Sequence, residues 1–248
     1  MINLVLALAA GFAVALLVKL AGLGWIAAIV PAVLVALAAY VVLARRIAVK
    51  IQKLGEEAQA VLSTPARSEK DRNAMLDKAV KVMEGGFVYA NWQFFIAPTL
   101  HGNIGMLHFL KKDLAAARTH LEKSFSREWM AKAMLGTIHY LARAEAPMKA
   151  AFEESVSSGT GKKEPMAWGV YCWCLENLKQ HDAAIGVAAR AVAENPSDEK
   201  LKKLLNQLQN GKRLKMNAFE PMWWQFGLEK PPMEQAQQRV RFQRGRRM

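Results

Sequence analysis

The sequence predicts an all-α protein: an N-terminal helical hairpin in a membrane, an array of helix pairs closed by a polar helix, and a basic tail. Three observations carry this prediction. Hydrophobic residues make up 52% of the 248, yet mean hydropathy is only +0.03, and the first 44 residues hold a single charge, Lys19. Beyond them, apolar residues recur at three- and four-residue spacing, and no alternating, strand-like segment stands out. Finally, small residues repeat at fixed intervals between 98 and 210.

Charge is segregated as strictly as hydropathy. The formal net charge is +13. Residues 45–53 carry four cations (Arg45, Arg46, Lys50, Lys53) and no acid. Residues 54–210 hold 20 basic and 18 acidic residues, and 211–248 hold 9 and 3. The long middle is thus nearly neutral, which argues against a basic nucleic-acid-binding domain. The flanks point to an anionic membrane surface. Two cysteines exclude a disulfide framework.

Residues 2–18 form an apolar run broken only by Asn3, about 26 Å long as a helix. Lys19 can snorkel at its end, and 20–24 (LAGLG) reads as a turn. Residues 25–44 form a second run of about 30 Å, the thickness of a hydrocarbon core, with Trp25 and Tyr40 as interface anchors. Pro31 predicts a mild kink. Ala9, Ala10, Gly11, Ala13, Ala27, Ala28 and Ala32 let two helices pack closely. A cleaved signal peptide would need a basic start, which residues 1–7 lack. The cations of 45–53 place the end of the second span in the cytoplasm, and both termini with it. The expected location is a bacterial inner membrane, crossed twice, and the hairpin domain is 1–44.

Residues 45–97 are expected as juxtamembrane helices. The second span continues to residue 62, 63–68 (STPARS) is a break, and 69–84 is helical. Gly85-Gly86 ends that helix, 87–97 is rich in aromatics, and Pro98 starts the next helix.

Three helix pairs then align over 98–128, 129–164 and 165–197. Gly105, Ala117, Leu121 and Ser124 are matched by Gly136, Met148, Phe152 and Ser155, and by Cys172, Ala184, Ala188 and Ala191. Helices cross closely only where side chains are small. With Ile104-Gly105, Leu135-Gly136, Trp168 and the terminal Pro196, residues 98–210 resemble the tetratricopeptide repeat (TPR) family. Met148 in place of Ala and a short second unit depart from its pattern. The resemblance implies an α-solenoid, with residues 198–209 as its polar capping helix. It also implies a concave groove lined by the first helix of each pair. Asn103, Met106 and Phe109 come from the first pair, Met130, Met134, Thr137 and Tyr140 from the second, and Met166, Val170 and Trp173 from the third. This Met- and aromatic-rich lining suits an apolar or amphipathic peptide.

Nothing in the sequence supports catalysis, a cofactor or a metal. Cys172 and Cys174 point about 200° apart on a helix and read as core. His101 and His108, seven apart, read as packing. The glycines and lysines of 159–163 lack the strand and the Ser/Thr of a phosphate loop. In 211–248, Trp223 and Trp224 have three readings: headgroup anchors at the membrane surface, an internal ligand of the groove, or a simple dock on the helices. Arg239, Arg241, Arg244, Arg246 and Arg247 form the basic tail, facing anionic headgroups. The expected function is therefore a membrane-anchored scaffold that binds a partner protein or peptide on the cytoplasmic side. The alternative is a structural subunit of a larger membrane complex, joined through the hairpin. A membrane-tethered nucleic-acid binder ranks last, since Phe242 alone offers stacking in the tail.

Overall fold

Uninterrupted apolar sequence becomes long helix. In the computed structural model, which describes residues 1–230, α1 is Ile2–Leu20 and α2 is Trp25–Leu62. All regular structure among the described residues is helical. The Arg-rich stretch 237–248, expected as a basic tail, lies outside them. The chain divides into two compact units. One is Met1–Leu107 with Lys123–Phe125; the other is His108–Glu122 and the chain from Ser126 onward.

In the first unit α1 and α2 form the hairpin, and both are long and apolar enough to cross a membrane. Their large side chains face outward, with Phe12 68% and Ile26 82% exposed, while Asn3, Ala7, Gly11 and Ala28 are buried. This is the reverse of a water-soluble core and suits a lipid solvent. Gly11 sits where an added Cβ would lie 2.7 Å from the Ala32 carbonyl oxygen and 2.8 Å from the Ala36 methyl. The Lys19 ammonium lies over the Trp25 ring at 4.9 Å. At 1.5 Å per residue, the 38 residues of α2 extend about 57 Å. The helix runs through Pro31 and carries its cationic segment beyond the apolar one.

Ser68 accepts the Asp71 N–H at 3.1 Å and starts α3, Glu69–Glu84, as a serine N-cap does. Leu76, Ala79, Val80 and Met83 are its buried face. Gly85-Gly86 does not stop the chain outright. A 3-10 segment, Gly85–Tyr89, follows, and in it Gly86 packs directly on Leu54 and Leu100, where a side chain would collide. Helix α4, Ile96–Leu110, begins two residues before Pro98, so the proline stands inside the first turn rather than at the start. There its missing N–H still has no carbonyl to meet.

The second unit contains α5 (Leu114–Leu121), α6 (Trp129–Leu141), α7 (Glu145–Ser157), α8 (Pro165–Asn177), α9 (His181–Glu194) and α10 (Glu199–Gln209). One turn recurs in it. Lys112, Arg143 and Lys179 each adopt a positive φ, of 68°, 56° and 63°. Each donates its N–H three residues back, to Phe109, Tyr140 and Glu176, and the next residue donates to His108, His139 and Leu175. These left-handed C-caps are 31 and 36 residues apart, the intervals of the small-residue alignment. The aligned residues are buried in all three pairs. Where Met148 and Phe152 are large, Gly136 opposite is small, with Phe152 carbons about 2.9 Å from where its Cβ would be. The Cys172 thiol meets the Ala184 carbonyl at 3.6 Å. On α10, Leu201, Leu204 and Leu208 are buried and Lys200, Lys202 and Lys203 exposed, so the helix is amphipathic.

Candidate peptide groove and membrane-boundary residues

The groove expected along the first helices is filled. Met134, Thr137, Met166 and Val170 are buried, and Trp173 is only 9% exposed. Thr137 returns its hydroxyl to the Ala133 carbonyl at 2.9 Å. Half-buried Met130 and Tyr140 keep some surface. Phe109 is buried, and half-buried Asn103 and Met106 belong to the first unit. These ten residues therefore do not form one open surface. Their apolar character is real, but it serves contacts already made.

The chain itself covers the α8 part. After α10, Leu214 and two short 3-10 segments, Met216–Phe219 and Met222–Phe226, fold back onto α8. Gly169 admits them: its Cβ position lies 3.2 Å from both Met216 and Phe219. The Trp173 ring then meets Tyr140 edge-on at 5.8 Å and Trp223 at 5.4 Å. Trp223 is 0% exposed, and its indole N–H donates to Glu229 at 3.0 Å. Gly227 closes the segment with a φ of 64°. Trp223 is thus not available to a membrane surface. Of the three readings, burial sets aside the headgroup anchor for Trp223, and contact with α8 fits both an internal ligand and a simple dock on the helices. Trp224 is half-buried beside it.

Other candidates resolve into packing and pairing. The lysines of the 159–163 loop are engaged with α9: Lys162 pairs with the Glu194 carboxylate at 3.2 Å, and Lys163 donates to the Glu194 carbonyl at 2.7 Å. Trp168 and Asn195 both donate to the Lys162 carbonyl. Glu153 grips Arg190 with two hydrogen bonds of 2.8 and 3.0 Å, and Arg190 lies over the Trp168 ring. Glu154 pairs with buried Lys132 at 3.0 Å. These two glutamates, on a solvated face of α7, thus tie it to α9 and α6. Burial pushes both thiols, Cys172 and Cys174, well above the ordinary range and keeps them protonated. His101 packs against Phe87, and His108 stacks with His120.

Buried His139, at the end of α6, has its pKa lowered, first by burial and then by Arg118, against an opposing pull from Glu122. The unfolded chain takes up that proton near the usual value of about 6.5. Stability is thus complete above about pH 6.5 and falls as pH drops from there toward the folded value. His101 acts in the same direction in the first unit. The wild-type melting temperature is expected to fall between about pH 7.5 and 5.5, and less steeply in His139→Gln. Equal slopes would remove His139 from this account.

The four cations expected at the membrane surface are more accessible than Trp223. Arg45, Arg46, Lys50 and Lys53 are exposed on α2, and none of them forms an ion pair among the described residues. The Lys50 ammonium lies over the Tyr89 ring at 5.0 Å. The start of α1 is fastened beside them. Ile2 and Asn3 donate their N–H groups to the Asn91 and Trp92 carbonyls at 3.0 and 3.2 Å, and the Met1 ammonium donates to Asn91. The aromatic stretch 87–95, with exposed Val88, Phe94 and Phe95, thereby joins the end of the hairpin that carries the cations. Its composition was visible in the sequence, but its position depends on those two carbonyls. Comparison with protein-family models, curated proteins and solved structures finds no match to this chain.

Proposed function

We propose that this protein is a membrane-anchored interaction module. Its hairpin is the anchor, with the basic flank on the cytoplasmic side. Its TPR-like helix pairs offer an apolar face to a short aromatic segment of a partner protein. The observation that carries this reading is the chain's own segment 214–228, lying on α8 with Trp223 fully buried against Trp173. A face that orders a Met-, Phe- and Trp-bearing peptide in cis has the chemistry to hold one in trans. The two then compete, and the intramolecular segment starts with the advantage of high effective concentration.

The test uses a photoreactive residue at position 140, at the half-buried rim of that face. In native membranes the otherwise unaltered chain should crosslink within itself, to 214–228. The Trp223→Ala/Phe226→Ala variant should form adducts with a second protein, and a synthetic peptide of residues 212–230 should suppress them. A variant that forms no peptide-sensitive adduct would reduce this face to a structural contact. The hairpin would then be the remaining interface, as in a subunit of a larger membrane complex.

A further inference from the structure

Within the first unit, a cavity of about 700 Å³ opens where the apolar part of α2 gives way to its cationic part. Arg45, Arg46, Lys50 and Lys53 all line it, and no carboxylate does. Arg46, Lys50 and Lys53 are spaced i, i+4 and i+7, so they share one helix face. Val42, Val49 and Trp92 form apolar wall between and beside the cations. Asn3 also lines the cavity. It is 1% exposed, and neither its side-chain nitrogen nor its oxygen has a hydrogen-bond partner. A buried amide with both functions unmet is costly. It marks a place built for a polar group.

A ligand for this cavity must be anionic, must offer a hydrogen-bond donor and acceptor near Asn3, and must carry apolar bulk. Free phosphate meets the first demand but leaves the apolar wall bare. We propose that the cavity binds one anionic glycerophospholipid. Its phosphate lies among the four cations, its headgroup hydroxyl and ester groups satisfy Asn3, and its acyl chains leave along Val42 into the bilayer. The volume fits a headgroup and the first part of the chains, within the usual range for ligand sites. This inference rests on the membrane reading of the hairpin, and it makes the cationic flank a defined site rather than a diffuse charge.

The full-length chain in phosphatidylcholine nanodiscs, doped with photoactivatable phosphatidylglycerol or photoactivatable phosphatidylcholine, tests it. The phosphatidylglycerol probe should label peptides containing 42–53 and 89–92 well above the phosphatidylcholine probe. Arg46→Gln/Lys50→Gln should reduce that labelling about thirtyfold, since each cation near an anionic headgroup contributes about fivefold. Asn3→Leu, which keeps every charge, should still reduce it severalfold. Lys200→Gln/Lys202→Gln on α10 should not change it. Equal labelling by the two lipids, or full labelling of Asn3→Leu, would overturn the site in favour of general surface attraction. Displacement by excess inorganic phosphate would assign it to the free anion instead. Carbonate extraction separates the two levels: a chain released from membranes defeats the membrane reading itself, whereas an integral chain without selective labelling defeats only the site.

Discussion

Trp223→Ala is expected to destabilise the second unit by about 3–5 kcal/mol, the usual cost of truncating a fully buried aromatic side chain. The loss has two parts. The indole contributes its apolar area and its edge contact with Trp173 at 5.4 Å, and its N–H loses Glu229, 3.0 Å away. A domain of this kind is stable by only about 5–15 kcal/mol, so a change of this size shows as an early unfolding transition in near-ultraviolet circular dichroism of the full chain in detergent. Two comparisons sharpen it. Trp224→Ala, at the half-buried neighbour, should cost much less. Glu229→Gln should cost about 1 kcal/mol, because it weakens the hydrogen bond and leaves the packing intact. Equal effects for Trp223→Ala and Trp224→Ala would mean that the segment is not seated as described. The same experiment bears on function. If only the transition of the second unit moves, the segment is a replaceable occupant of α8. If the protein fails to fold, the segment is part of the core, and competition by a partner is untenable.

The destination of that segment was not legible in the sequence. A Trp pair after a proline is equally consistent with a membrane interface, a groove or a simple dock, because its partner, Trp173, is 50 residues away. Local patterns decided more. The single charge in 44 residues marks the two long apolar helices, and the STPARS break with Gly85-Gly86 bounds α3 to the residue. The spacing of small crossing residues anticipated a turn that repeats at Lys112, Arg143 and Lys179. The groove shows the limit of such patterns. The family resemblance puts Met134, Thr137 and Val170 on an open surface, whereas they are buried; periodicity places residues on a helix face but does not say what covers that face. Asn3 shows another limit. In sequence it is a blemish in an apolar run. Only the approach of the Asn91 and Trp92 carbonyls to the start of α1 reveals it as a buried amide lining a cationic cavity.

Gly11→Leu is expected to separate α1 from α2. Even a methyl group at position 11 would lie 2.7 Å from the Ala32 carbonyl oxygen and 2.8 Å from the Ala36 side chain, inside any normal contact distance. A carbonyl in an intact helix cannot swing away, so the helices themselves must move apart. Small overpacking costs about 1–3 kcal/mol, and Gly11→Ala should fall in that range. Leucine adds three more carbons and exceeds what a shift of the pair can absorb. In lipid, close packing of small residues is the main attraction between helices, so a forced gap removes the attraction along with the fit. Spin labels at positions 8 and 35, both outward-facing, should give a short, narrow distance distribution in the parent and a long, broad one in Gly11→Leu. The native thiols, Cys172 and Cys174, are buried and should stay unlabelled. Gly55→Ala is the control, since nothing lies within 4 Å of its added methyl and α2 should only gain helix propensity. Membrane insertion should survive in every variant, because each span remains apolar by itself. An unchanged distance distribution in Gly11→Leu would mean that the hairpin is not held at Gly11. The expected opening would also pull Asn3 away from Val42 and Arg46, so selective labelling by anionic lipid should disappear in Gly11→Leu although all four cations are retained.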